Sequence, residues 1–160
     1  MQNVILRPTY FAEVWLSPAL GFDFVSGSIR IYGSGEAKGS YISAFDVADF
    51  AVAAAVGKDD EHTILEMGGP QPLSQLDAVK IFEQALEKKF QLQHVPAKAL
   101  QQQYGSPDPL QKTFAALTLG YIQGGEIKGA QETAKKYGIR LTSVGDYASR
   151  VREETAGTAA

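Results

Sequence analysis

With 160 residues the chain is long enough to bury about two-thirds of its unfolded surface, and a composition of 44% hydrophobic, 21% charged and 10% aromatic residues excludes a disordered or fibrous protein. A formal charge of −3, with Lys88-Lys89 and Lys135-Lys136 as isolated basic doublets of the kind found on solvated helix faces, argues against a nucleic-acid partner. The lack of cysteine excludes disulfides, thiolate metal sites and thiol catalysis together.

No apolar run approaches the roughly 20 residues that cross a bilayer, and the N-terminus shows no signal-peptide pattern. A cytoplasmic protein with no membrane contact is expected.

In chain order, residues 3–7 read as a strand. Val4-Ile5-Leu6 is a continuous apolar run, as in a strand buried on both faces of a parallel sheet, although so short a run does not by itself exclude a helix. Pro8 ends the strand because it has no N–H for the ladder. A parallel strand needs neighbours, and only Met1 and Gln2 precede this one. The chain is therefore expected to be the later part of an α/β fold whose earlier part lies elsewhere.

Tyr10, Phe11 and Trp15 follow, before Pro18. Their rings suit either a small-molecule pocket or the core beneath a short helix.

Strands are expected over 28–32 and 40–42, with a turn at Gly33-Ser34-Gly35, and again over 62–67 and 90–95. Ser43-Ala44-Phe45-Asp46 opens a helix with Val47, Phe50, Ala51 and Ala54 on one face and Gly57 at its end. That helix is placed to join strands 3–7 and 62–67 in a right-handed crossover. Capping gives Asp46 a simpler role than catalysis.

Gly68-Gly69-Pro70 makes a turn. Ser74-Gln75-Leu76-Asp77 then opens a second helix with Leu76, Val79, Ile81, Phe82 and Leu86 at nearly helical spacing. From residue 97 the pattern is helical over 97–104, 110–123 (after Pro107-Asp108-Pro109) and 131–137 (before Gly138). A last helix opens at Ser143-Val144-Gly145-Asp146 and carries Tyr147 and Val151. One compact unit over 1–151 and a frayed tail over 152–160 result.

Few catalytic patterns survive inspection. Gly33-Ser34-Gly35-Glu36-Ala37-Lys38-Gly39 is one residue off a dinucleotide fingerprint and opens no helix, so it reads as a turn between strands. His62 and His94 form no metal pattern, and no G-x-S-x-G elbow occurs. No catalytic residue and no metal ligand is assigned. The general rule for open α/β sheets places a ligand beyond the carboxyl ends of the strands, at Arg7-Pro8-Thr9-Tyr10-Phe11 and Gly68-Gly69-Pro70.

Several stretches together resemble NmrA-like proteins, the atypical short-chain dehydrogenase/reductase group with a Rossmann fold. They are Val4 to Phe11, Ile42 to Ala48, Leu65-Glu66-Met67-Gly68-Gly69-Pro70 with Leu73-Ser74, His94-Val95-Pro96, and Leu141 to Tyr147. The resemblance is to the family's C-terminal half. It implies an α/β fold, an incomplete Rossmann-like unit holding the last strands of a parallel sheet, with a mostly helical C-terminal substrate subdomain. By that resemblance Pro8, Thr9, Tyr10 and Phe11 line the nicotinamide side of an NAD(P) site, and Phe11 and Trp15 extend it toward a substrate. The glycine-rich phosphate turn belongs to the half not matched, and no tyrosine has a lysine four residues on, as classical members of the group do.

Three functions stay open: the nicotinamide-side and substrate-binding portion of an NAD(P)-dependent oxidoreductase, inactive alone; a redox-sensing regulatory protein that binds a partner; and a truncated product without independent function. All share one expectation. A sheet lacking its front strands exposes an edge and apolar surface, which favours a homo-oligomer or a complementary protein chain.

Overall fold

The computed structural model describes residues 3–57 and 63–158. His62 lies outside them.

The strand expected at the start forms as β1 (Val4–Pro8) and pairs in parallel with β5 (Thr63–Met67), in register from Val4 opposite Thr63 to Pro8 opposite Met67. Between them in sequence come α1 (Ala12–Trp15), a 3-10 turn at Pro18–Leu20, β2 (Phe22–Asp23), β3 (Ser28–Tyr32), β4 (Lys38–Gly39) and α2 (Ala44–Val56). After β5 come β6 (Leu73–Ser74), α3 (Gln75–Ala85), β7 (Gln91–Val95), α4 (Ala97–Tyr104), α5 (Pro109–Tyr121), α6 (Ala130–Lys136) and α7 (Val144–Thr158).

Two further small sheets form: a mixed one in the order β2-β3-β7, and the antiparallel pair β4-β6. The Gly33-Ser34-Gly35 turn connects β3 to β4, which belong to different sheets, so it is a loop turn and not a hairpin. Residues 40–42 form no strand of their own: a single parallel bridge joins Ile42 to Phe11.

The larger core gathers Ile29 and Ile31 of β3 with Phe82 of α3, Leu100 of α4, Tyr121 of α5, and Tyr147 and Val151 of α7. A smaller one lies on one face of the β1-β5 pair, where Leu65 and Met67 meet Ile42, Phe50 and Ala134. β1 itself departs from the expected burial on both faces, since Ile5 is 50% exposed and Ile64 beside it 52%. The inner face is covered by α2 and by the segment of Tyr137, Ile139 and Leu141, while the outer face has no cover among the described residues. The outer side of α2 is also apolar, with Phe45, Val52 and Val56 exposed, and Ala51 lies there instead of facing the core.

Two of the three predicted helix starts form reciprocal capping boxes. Asp77 N–H donates to Ser74 Oγ at 3.0 Å while Ser74 N–H donates to Asp77 Oδ2 at 3.1 Å. Ser143 and Asp146 exchange the same bonds at 3.0 and 2.9 Å.

The start of α2 differs. Ser43 Oγ accepts from Phe45 N–H, and the carboxylate serving this end is Glu13 of α1, which accepts from Ser43 Oγ at 2.6 Å and Ala44 N–H at 3.0 Å. Asp46 is therefore not the cap that its spacing predicts. It is buried and accepts from Thr142 N–H at 2.8 Å and Thr142 Oγ1 at 2.7 Å, tying α2 to the approach of α7. Burial raises its carboxyl above the usual range, against the two Thr142 bonds that lower it. At the far end α7 continues as helix to Thr158, with residues 152–157 exposed.

Candidate functional site

Because β1 and β5 run in parallel and in register, their carboxyl ends lie side by side, with Pro8 against Met67. The two segments singled out from sequence, Thr9-Tyr10-Phe11 and Gly68-Gly69-Pro70, thus leave the same edge of the same sheet.

The backbone of residues 40–42 threads between them. Thr9 N–H donates to Met67 O at 3.0 Å, and Ile42 N–H donates to Tyr10 O at 2.9 Å. Thr9 Oγ1 is shared between Ser40 O and Met67 O. Gly69 is required here, because a Cβ would fall 1.7 Å from Tyr41 O.

Tyr10 anchors this loop to the helical part. Its hydroxyl donates to Gly124 O at 2.9 Å, in the turn that follows α5. Its ring meets Trp15 at 5.6 Å and Tyr121 at 5.0 Å, both edge-on. Trp15 in turn stacks on Tyr121, with ring centroids 4.0 Å apart. Behind them the hydroxyls of Tyr41 and Tyr121 share a short hydrogen bond. Burial pushes the Tyr10, Tyr41 and Tyr121 hydroxyls above their ordinary range, so all three are neutral at physiological pH and none is poised as a base.

The predicted site residues thus divide. Pro8, Thr9, Tyr10, Phe11 and Trp15 are all partly exposed. Tyr10 and Trp15 belong to the larger core, whereas Phe11 packs into the smaller one. The rings pack against the cores and keep some accessible surface. The polar atoms of Thr9 and the Tyr10 hydroxyl already have partners within the chain. What this loop offers a ligand is a fixed wall, chiefly for van der Waals contact.

An open groove of about 540 Å³ adjoins the same strand end, between Pro70 and α6, with Ile139 and Leu141 in its lining and Lys135 and Arg140 beside them. Sequence reasoning missed this groove and also Ser40, Gly124 and Tyr121, which pin the loop from 31 to 114 residues away. Only the Tyr121 ring left a trace in the sequence, as one aromatic in a helical pattern.

Elsewhere the chemistry is sparse. His94 sits exposed on β7. Among the described residues no group of three His, Cys, Asp or Glu side chains could hold a metal ion, and no helix is long and apolar enough to cross a membrane.

A nicotinamide cofactor, as the sequence resemblance implies, fits these residues at one end. The strand ends and the aromatic loop suit a flat ring. The phosphates have no match among the described residues: Gly33-Ser34-Gly35 leads into β4, so no helix N-terminus stands behind it.

No family profile matches the chain, and no curated protein does. Solved structures do match in fold. The NADPH-dependent quinone oxidoreductase QOR2 of Escherichia coli superposes with a TM-score of 0.72 at 20% identity, over 92% of this chain and 54% of that one. Isoflavone reductase gives 0.74 at 18%, over 92% and 52%. The Citrobacter sp. triphenylmethane reductase complexed with NADP(H) gives 0.72 at 18%, over 93% and 52%. The chain therefore has the Rossmann-like α/β fold of NAD(P)-dependent reductases, in agreement with the likeness read from its motifs, and spans about half the length of these neighbours.

Proposed function

We propose that this chain supplies the nicotinamide-side wall and the substrate-facing part of an NAD(P)-dependent oxidoreductase. Pro8, Thr9, Tyr10 and Phe11 would lie against the cofactor, and Phe11 and Trp15 would bound the substrate from either side of the loop. The observation that carries this reading is the position of the loop. It stands at the carboxyl end of a parallel strand pair, where open α/β sheets bind ligands, and is held there by Thr9 and Tyr10.

The bound cofactor would supply hydride chemistry. The chain's own residues contribute shape and exclusion of water. Thr9 and Gly69 hold the two strand ends together, and the Tyr10–Trp15–Tyr121 stack fixes the height of the wall. The three neutral tyrosine hydroxyls keep their protons while bonded within the chain.

Trp15 makes the test direct, because it is the one tryptophan and it touches the proposed wall. Titration with NADPH and NADH should quench Trp15 emission saturably in the micromolar range when the phosphate-binding part is present, and far more weakly with the 160 residues alone. Absence of quenching up to millimolar cofactor in the complete protein would reject the reading.

A further inference from the structure

The groove between Pro70 and α6 is built by the way α6 ends. Gly138, at a φ of +67°, turns the chain back on the helix. Ile139 N–H then donates to Ala134 O at 2.9 Å and Gly138 N–H to Lys135 O at 3.1 Å, the paired bonds of a Schellman motif. This turn brings Ile139 and Leu141 beside Ala134 as an apolar floor, and it returns Arg140 to the groove that Lys135 already lines. The opposite wall is Pro70, fixed to α6 because Gln131 Nε2 donates to its carbonyl at 2.6 Å.

The two cations have no work within the chain. The Schellman bonds satisfy the last carbonyls of α6, which a lysine in the final turn could otherwise serve. Lys135 and Arg140 are exposed, and neither has an ion-pair partner among the described residues. Lys136, by contrast, lies over the Tyr137 ring at 5.3 Å. Asp146 feels the charge of Arg140, but its carboxylate accepts from Ser143 N–H at 2.9 Å and Ser143 Oγ at 2.7 Å and makes no ion pair with it. No acidic side chain lines the groove. The adjoining cleft, which shares Pro70 and Gln131, differs in carrying Glu126, Glu132 and Lys128, charges of both signs.

We propose that this groove binds a small organic anion with an apolar body, a carboxylate or a phosphate monoester. The body lies on Ala134, Ile139 and Leu141. The head bonds the planar fork of Arg140, with Lys135 as a second positive charge beside it. A neutral apolar molecule would gain only the floor, and a cation would be repelled by two unpaired like charges. The volume of about 540 Å³ is that of a small-molecule site, and an apolar lining with few polar groups is how such sites fix orientation. None of the lining residues belongs to the wall of Pro8, Thr9, Tyr10, Phe11 and Trp15, so this site stands apart from the proposed cofactor contact.

The test is a titration of the isotope-labelled 160-residue chain, followed by amide NMR shifts. The probes are octanoate, octyl phosphate, octanol and octylammonium, each below its micelle concentration. Octanoate or octyl phosphate should give saturable shifts centred on the amides of Ala134, Gly138, Ile139 and Leu141, and the tighter of the two identifies the head group. Octanol should bind about tenfold more weakly than that anion, the share carried by the charged hydrogen bonds. Octylammonium should not bind.

Lys135→Gln combined with Arg140→Gln should weaken the anion by about tenfold while leaving octanol binding and the remaining spectrum unchanged, which a misfolded variant would not do. Equal binding of octanoate, octyl phosphate and octanol would reduce the groove to an apolar surface and overturn the proposal. Shifts centred elsewhere, or none up to millimolar anion, would overturn it as well. Quenching of Trp15 by NADPH reads the other site, so either result can fail without the other.

Discussion

The two parallel strand ladders among the described residues, β3 with β7 and β1 with β5, use similar five-residue strands and reach different states. In β3 the alternation is clean: Ile29 and Ile31 are fully buried while Arg30 faces outward. β1 alternates too, but its outward positions carry Ile5 and Arg7, and those of β5 carry Ile64 and Glu66. The first sheet packs one face on its helices and turns polar side chains to water on the other. The second is finished on one side only. Burial on both faces is thus a property of the neighbours a strand acquires, and an apolar run records only that the strand is suited to them.

Three substitutions in the 160-residue chain would break or sharpen this contrast. The largest effect is expected at Phe82, fully buried in the larger core, where its ring meets Phe22, Phe24 and Tyr147. Phe82→Ala should lower unfolding free energy by about 3–5 kcal/mol in urea denaturation. A loss below about 1 kcal/mol would mean that this core is not the stable half.

A smaller effect belongs to the helix caps. Ser74→Ala should cost about 1 kcal/mol. Its partner gives the effect a pH signature. The Ser74 side-chain and backbone bonds hold the Asp77 carboxyl below its usual value, and Ser143 does the same for Asp146. A lowered carboxyl contributes stability above its unfolded pKa of about 3.9, and that contribution is lost as pH falls through the folded value. Thermal midpoints followed from neutral pH to below about pH 3 should therefore fall less steeply in Asp77→Asn than in the parent. Parallel curves would remove this cap from the acid response.

The smallest effect is expected on the bare sheet. Ile64→Lys should shift unfolding free energy by only about 0.5 kcal/mol in the chain alone, because half of that side chain already meets water. A cost comparable to Phe82→Ala would show that the face is packed in the isolated chain and would erase the contrast.

Most of the elements were legible in the sequence, since each rests on local chemistry. Ser74 with Asp77, and Ser143 with Asp146, announce helix starts because the hydroxyl and the carboxylate satisfy N–H groups only three residues away. Asp108 before Pro109 does the same for α5, where Asp108 Oδ1 accepts from Leu110 N–H. The same spacing misled at Ser43 and Asp46. There a carboxylate from another helix, Glu13, took the local partner, and Thr142, 96 residues away, took Asp46. Of the candidate site, the strand ends were legible because Pro8 and Gly68-Gly69-Pro70 are local stops. Their contact was not, because it depends on the register of β1 against β5.

The sequence by itself thus determined the α/β class, the order of the principal strands and helices, and the loop on which the proposed function rests, through periodicity, capping spacings and backbone stops that act within a few residues. The tertiary structure alone decided that Tyr10 hangs from Gly124, that Phe11 and Trp15 enter different cores, and that one face of the β1-β5 pair is left uncovered by the described residues. Those outcomes depend on which distant groups reach a given atom or face first, and no local pattern carries that information.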